Sequence, residues 1–156
     1  MKKNITGNWF FFAGITLLLL SACEKEGNEG NQTNISTYQS AKSHNTGKNC
    51  MECHVSGGSG EGWFNAAGTV YDSTKTTVYP GATVRLYSGP GGTGNIKATI
   101  QVDANGNFYT TENIDFGNGL YPSVEGNKLK KYMGSSITAG ACNGCHGATT
   151  DHIWTK

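Results

Sequence analysis

The pentapeptide Cys-x-x-Cys-His occurs twice in this chain, as CMECH at 50–54 and as CNGCH at 142–146. The chain holds five cysteines and four histidines, so the two copies take up four of the former and two of the latter. Any fold must bring each cysteine pair to the partner it serves. Two distant pairs can close one site between them, or each can build its own. A shared tetrahedral Cys₄ zinc site has the right donors. The stretch from Cys53 to Cys142 is, however, far longer than the 15–20 residues usual between such pairs. Zinc also gives no reason for a histidine after each pair. Disulfides, within or between the pairs, leave both histidines unexplained in the same way. Thioredoxin-like chemistry needs a βαβ context that the sequence lacks.

Cys-x-x-Cys-His is the attachment signature of c-type haem. One helical turn sets two thiols on the same side, one for each haem vinyl group. The histidine that follows directs its imidazole at the iron as an axial ligand. Cys50 and Cys53 with His54, and Cys142 and Cys145 with His146, would then carry two covalently bound haem c groups. In these two segments the chain resembles multihaem c-type cytochromes. The resemblance implies electron transfer and a second protein ligand on each iron. Three candidates stand near the motifs: His44, His152 and Met133. If all four histidines bind iron, the count closes as two bis-histidine haems. In that family an upstream histidine at about the offset of His44 often ligates the same haem, which implies His44 for the first. For the second, His152 is favoured and Met133 is the alternative. Six residues extend roughly 20 Å, just enough to pass from one haem face to the other. Met133 has ample reach, and a Met/His pair would raise the reduction potential. An open iron and crossed ligation between the two haems also remain open.

The N-terminus addresses the chain to export. Lys2 and Lys3 precede an apolar run from Trp9 to Leu20, which is too short to cross a bilayer as a helix and suits a signal-peptide core. The run ends in Leu20-Ser21-Ala22-Cys23, which resembles the lipobox of bacterial lipoproteins. The resemblance implies cleavage of residues 1–22 and lipidation of Cys23. It places the protein on a periplasm-facing membrane, the outer membrane or the cell surface. Exported thiols do not persist unpartnered, which strengthens the case for haem. Residues 23–43 are polar and carry one aliphatic side chain larger than alanine, Ile35. Such a segment buries too little apolar surface to offset its ordering entropy, so it is expected as a flexible tether.

Between the motifs the pattern changes to period two. ATVRLYS sets Val84 and Leu86 on one face, and IKATIQV sets Ile96, Ala98, Ile100 and Val102 on one face. Alternation with β-branched residues predicts half-buried strands. Asp103-Ala-Asn-Gly106 predicts a turn into a strand opening at Phe108, and GTVYD and TTVYPGA supply one or two more. The expected fold is mainly β. It is a small antiparallel β-sandwich over residues 63–125, flanked by short Gly-rich haem-binding segments at 44–62 and 126–156 with little helix. The run from Gly68 to Phe108 resembles carboxypeptidase-regulatory-like (transthyretin-like) sandwich modules. That resemblance implies a scaffold or binding module.

Composition excludes several functions. Without residues 1–22 the chain keeps ten basic against eleven acidic side chains, a formal charge of −1. This is no footprint for nucleic acid. Neither a nucleophile–base pair nor a phosphate loop is visible, so the first reading is an electron carrier rather than an enzyme. It is a membrane-tethered dihaem cytochrome, with membrane lipid at Cys23 and redox proteins or other cytochromes as partners. Self-association is a further option. The alternatives are a haem enzyme, a peroxidase or small-molecule reductase with one five-coordinate iron, and a haem-bearing sensor that binds through the sandwich.

Overall fold

The computed structural model describes residues 30–156. The signal segment 1–22, Cys23 and residues 24–29 lie outside the described residues.

Eight short strands carry the fold among the described residues: β1 (Ala66–Tyr71), β2 (Thr83–Tyr87), β3 (Ile96–Gln101), β4 (Asn107–Thr110), β5 (Tyr121–Glu125), β6 (Lys130–Tyr132), β7 (Gly140–Ala141) and β8 (Ile153–Trp154). Helix is confined to three single 3₁₀ turns, at Cys50–Glu52, Pro90–Gly92 and Cys142–Gly144. The fold is mainly β, as the alternation predicts. One sheet runs β4-β1-β7, with β8 also on β1; the other runs β3-β2-β5-β6. Their inner faces share one core. Ala66, Val70 and Phe108 come from the first sheet, and Val84, Leu86, Ile100 and Val124 from the second.

The period-two reading locates this core well. Val84, Leu86 and Ile100 are buried, while Arg85 turns outward to pair with Glu125. Ile96 is the exception: it is 53% exposed at the start of β3, next to an irregularity in the β2–β3 register. TTVYPGA forms a single bridge, Val78 to Tyr71, rather than a strand. The turn at 103–106 forms as expected. Asp103 Oδ1 accepts from the Asn105 and Asn107 amides, both at 2.9 Å, and Gly106 takes the positive φ of 78° that the turn requires.

Three expectations need correction. The sandwich does not end at residue 125, because β6, β7 and β8 come from the segment expected to serve the second motif alone. Nor are the strands all antiparallel: β7 and β8 run parallel to β1. The polar segment is also not a free tether along its whole length. From Asn31 onward it is held by hydrogen bonds to both sheets, to Tyr109 of β4 and to Gln101 of β3 among others. Ile35 bridges to Thr110, the Ser36 amide donates to Tyr109 O at 2.9 Å, and Ser36 is buried. Farther along, Asn105 Nδ2 donates to Ser43 O at 2.8 Å. Hydrogen bonds hold this segment where apolar burial cannot. β4 has a free edge, and edge strands need a cover. A polar chain provides one by offering its own backbone.

Candidate functional site

Both Cys-x-x-Cys-His segments fold into the same turn. In the first, the amides of Cys53 and His54 donate to Cys50 O at 3.3 and 3.0 Å. In the second, those of Cys145 and His146 donate to Cys142 O at 3.2 and 2.9 Å. The Sγ of each leading cysteine points to a carbonyl two residues upstream, Cys50 to Lys48 O and Cys142 to Gly140 O. The trailing cysteines, Cys53 and Cys145, are exposed, and all four are thiols. Burial pushes the Cys50 thiol up and the Cys142 thiol up to about 12. Neither is therefore the low-pKa thiolate of a redox or nucleophilic cysteine. Among the described residues no cluster of three His, Cys, Asp or Glu side chains could hold a single metal ion, which leaves the shared Cys₄ zinc site without support.

The two histidines carry the same second hydrogen bond. His54 Nδ1 lies 3.1 Å from both Glu61 O and Gly62 O; His146 Nδ1 lies 2.7 Å from Asp151 O. A carbonyl only accepts, so each Nδ1 donates to it, and each Nε2 is turned to the opposite side of its ring. This is how a metal-ligating histidine is oriented by its outer partner. The surroundings differ. His54 is buried and stacks on Phe64, with ring centroids 4.2 Å apart, and Tyr109 stacks behind Phe64 at 4.9 Å. His44 is exposed, and its ring centroid lies 6.0 Å from that of His54.

The second motif is an excursion from a broken strand. β7 pairs with Ala66 and Ala67 of β1, and β8 pairs with Val70 and Tyr71. Residues 142–152 loop out between them, opposite Gly68 and Thr69. Asn143 fills the gap in the ladder. Its Oδ1 accepts from the Thr69 amide at 3.0 Å, where a strand carbonyl would otherwise stand. Its Nδ2 donates to Thr69 Oγ1 and to Lys48 O, both at 3.0 Å. Asn143 thus ties the second turn to β1 and to the chain leading into the first turn. The network continues inward, with Thr69 Oγ1 donating to Asn107 Oδ1 at 2.7 Å. Gly68 is required here by close approach: a Cβ would lie 2.6 Å from the Phe108 ring and 3.0 Å from Cys142 Cβ.

Both turns therefore rest on β1, from opposite faces of one sheet. Cys50 and Met51 pack on Phe64, Ala67 and Tyr109, outside the main core. Cys142 packs on the main core itself. Beside it a cleft of about 480 Å³ opens between the two sheets. That volume is in the range of cofactor pockets. Val84, Leu86 and Phe108 form its floor, and Cys142, Cys145, His146, His152 and Met133 are all on its walls. Tyr132 and Trp154, aromatic candidates for packing on a haem, are there too.

The structure thus brings His44 beside His54, and brings both His152 and Met133 to the cleft of His146. Sequence reasoning missed Asn143. It lies between the cysteines, where the motif accepts any residue, and nothing local marks it. Comparison with known proteins finds no family model, no curated protein and no solved structure that matches this chain.

Proposed function

We propose that this chain is an exported, lipid-tethered dihaem c-type cytochrome that carries electrons in the cell envelope or at the cell surface. The observation that carries the reading is the repeated construction of the two turns. Each buries its leading thiol partly, exposes its trailing thiol, and ties the histidine Nδ1 to a carbonyl so that Nε2 is free to ligate. Zinc, disulfide or core packing would not call for this same arrangement at two unrelated places.

The donor set fits the cofactor. Cys50 and Cys53 would hold the first haem, with His54 as ligand. His44, whose ring centroid lies 6.0 Å from that of His54, would supply the second imidazole to the same iron. Cys142 and Cys145 would hold the second haem, with His146 as ligand and the apolar cleft as its seat. When bound, the iron supplies a one-electron ferric/ferrous couple and the thioethers prevent its loss. The chain's own part is to orient the imidazoles, exclude water with Phe64, Tyr109 and the cleft floor, and hold both turns on β1. Residues 1–22 and the lipobox-like Cys23 support export and lipidation, and the partners are then other redox proteins.

Purification after expression with haem-attachment machinery tests the reading. The expected result is two haems retained in denaturant, seen as the mass of the chain plus two haem groups, with a low-spin spectrum that carbon monoxide does not alter. A haem-free chain that binds zinc would overturn it.

A further inference from the structure

The three candidate sixth ligands do not serve the two irons alike. His44 stands beside His54, so the second haem draws its sixth ligand from the cleft walls, where His152 and Met133 both stand. Reach along the chain allows both, His152 only just. The loop that carries His152 argues against it. Asp151 O accepts from His146 Nδ1 at 2.7 Å. Nδ1 is the nitrogen turned away from anything bound at Nε2, so the peptide leading into His152 passes behind the His146 ring. The loop is closed there by the Gly147 amide donating to Thr150 O at 2.9 Å. The His152 ring is packed in the same place. It lies under Gly147, where a Cβ would come within 2.8 Å of Nε2, and against Tyr71 at 4.3 Å between centroids. The next residue already belongs to β8. To reach the other side of a haem held by His146, His152 would have to break this loop, leave Tyr71 and pull on β8.

Met133 comes from the other sheet. It follows β6 directly, and its amide donates to Pro122 O at 2.9 Å, which extends the pairing with β5. Its neighbour Tyr132 packs under Gly92 and toward Tyr87. The Met133 side chain is half-buried and lines the cleft, yet it is not part of the core cluster, as a gap-filling methionine would be. His146 and Met133 therefore stand on walls supplied by different sheets.

We propose that Met133, and not His152, is the sixth ligand of the second haem, so that the protein holds one His/His and one His/Met site. This inference rests on the dihaem reading above. A Met/His set raises the reduction potential over His/His, so the cleft haem is the higher-potential one. His152 is held instead under Gly147 and against Tyr71, outside the ligand set.

The experiment is a redox titration of the holo-protein, with optical, magnetic circular dichroism and carbon monoxide readouts, on four forms. Wild type is expected to titrate in two resolved waves and to show the sulfur-to-iron charge-transfer band of a methionine-ligated ferric haem. Met133→Leu keeps the apolar volume. It is expected to lose that band and to make half of the haem high-spin and open to carbon monoxide. Met133→His is expected to restore the low-spin state and to bring the upper wave down toward the lower. His152→Ala is expected to keep the band and both low-spin haems. If Met133→Leu behaves as wild type, or if His152→Ala opens a haem to carbon monoxide, the assignment is overturned. A protein without haem overturns the dihaem reading instead, and the two failures are distinct.

Discussion

The two Cys-x-x-Cys-His turns share a backbone but not an environment. The first lies on the outer face of its sheet, and its histidine is buried by Phe64 and neighbouring loop carbonyls. The second interrupts a strand pairing at the mouth of the sandwich core, and its histidine faces a cleft between two sheets. Five residues are enough to dictate the turn, because its hydrogen bonds are internal to it. What the turn faces depends on where the chain puts it. The same local motif can therefore serve one satellite site and one site continuous with the core.

Removing each attachment in turn should break the comparison most visibly. Cys142→Ala with Cys145→Ala leaves the cleft floor of Val84, Leu86 and Phe108 without its cover. Cys50→Ala with Cys53→Ala strips only the satellite cluster. The first pair is expected to lower the melting temperature more than the second, by about 5 °C or more, as read by calorimetry. Equal losses would mean that the cleft is not the seat of a haem.

The Asn143 side chain hydrogen-bonds the second turn to β1 and to the chain leading into the first turn. Asn143→Ala leaves the Thr69 amide without an acceptor and removes one donor from Lys48 O. The expected cost is about 1–3 kcal/mol in denaturant unfolding, with faster hydrogen exchange at the Thr69 amide. Unchanged exchange at Thr69 would show that the side chain does not complete the ladder.

A pair of glycines separates the regions. At Gly68 a Cβ meets the Phe108 ring and Cys142; at Gly60 it meets the His54 ring at 2.6 Å. Each alanine variant is expected to cost about 1–3 kcal/mol by overpacking. If the proposed haems are bound, Gly68→Ala should disturb the spectrum of the one in the cleft alone, and Gly60→Ala that of the one at the first turn alone. Disturbance of both haems by either variant would mean that the sites are coupled more tightly than their separate packing implies.

The smallest effect belongs to neither turn and serves as the control. The Arg85 guanidinium hydrogen-bonded to Glu125 holds its carboxyl below the usual range, with Lys130 adding to the effect. A depressed pKa contributes stability above the unfolded carboxyl's value, and that contribution is lost as pH falls through the folded value. The Glu125 side chain is 42% exposed, so solvent screening keeps the contribution below about 1 kcal/mol. Wild type should lose slightly more stability than Glu125→Gln on acidification below about pH 4.5, with no change in the ligation of either haem.

Much of this was legible in the sequence. Period-two alternation identified β2 and the buried end of β3, because side chains on a pleated strand must alternate whatever the strand pairs with. The Asp-Ala-Asn-Gly run identified its turn, because the side chain and the glycine satisfy it locally. Motif spacing identified Cys50, Cys53, His54, Cys142, Cys145 and His146 as two units for the same reason. Other features depended on residues far apart in the chain. A segment with one large aliphatic residue cannot fold on its own, and residues 31–43 are held by partners far along the chain, among them Trp63, Gln101, Asn105 and Tyr109. Asn143 had no local signal, since its partners Lys48 and Thr69 lie in another part of the chain. Reach along the chain placed His152 within range of an iron, but hydrogen bonds and packing decided which way its loop closes. Sequence determined the turns and the strands, which short-range geometry dictates; tertiary structure decided the face, the neighbours and the unsatisfied partner of each.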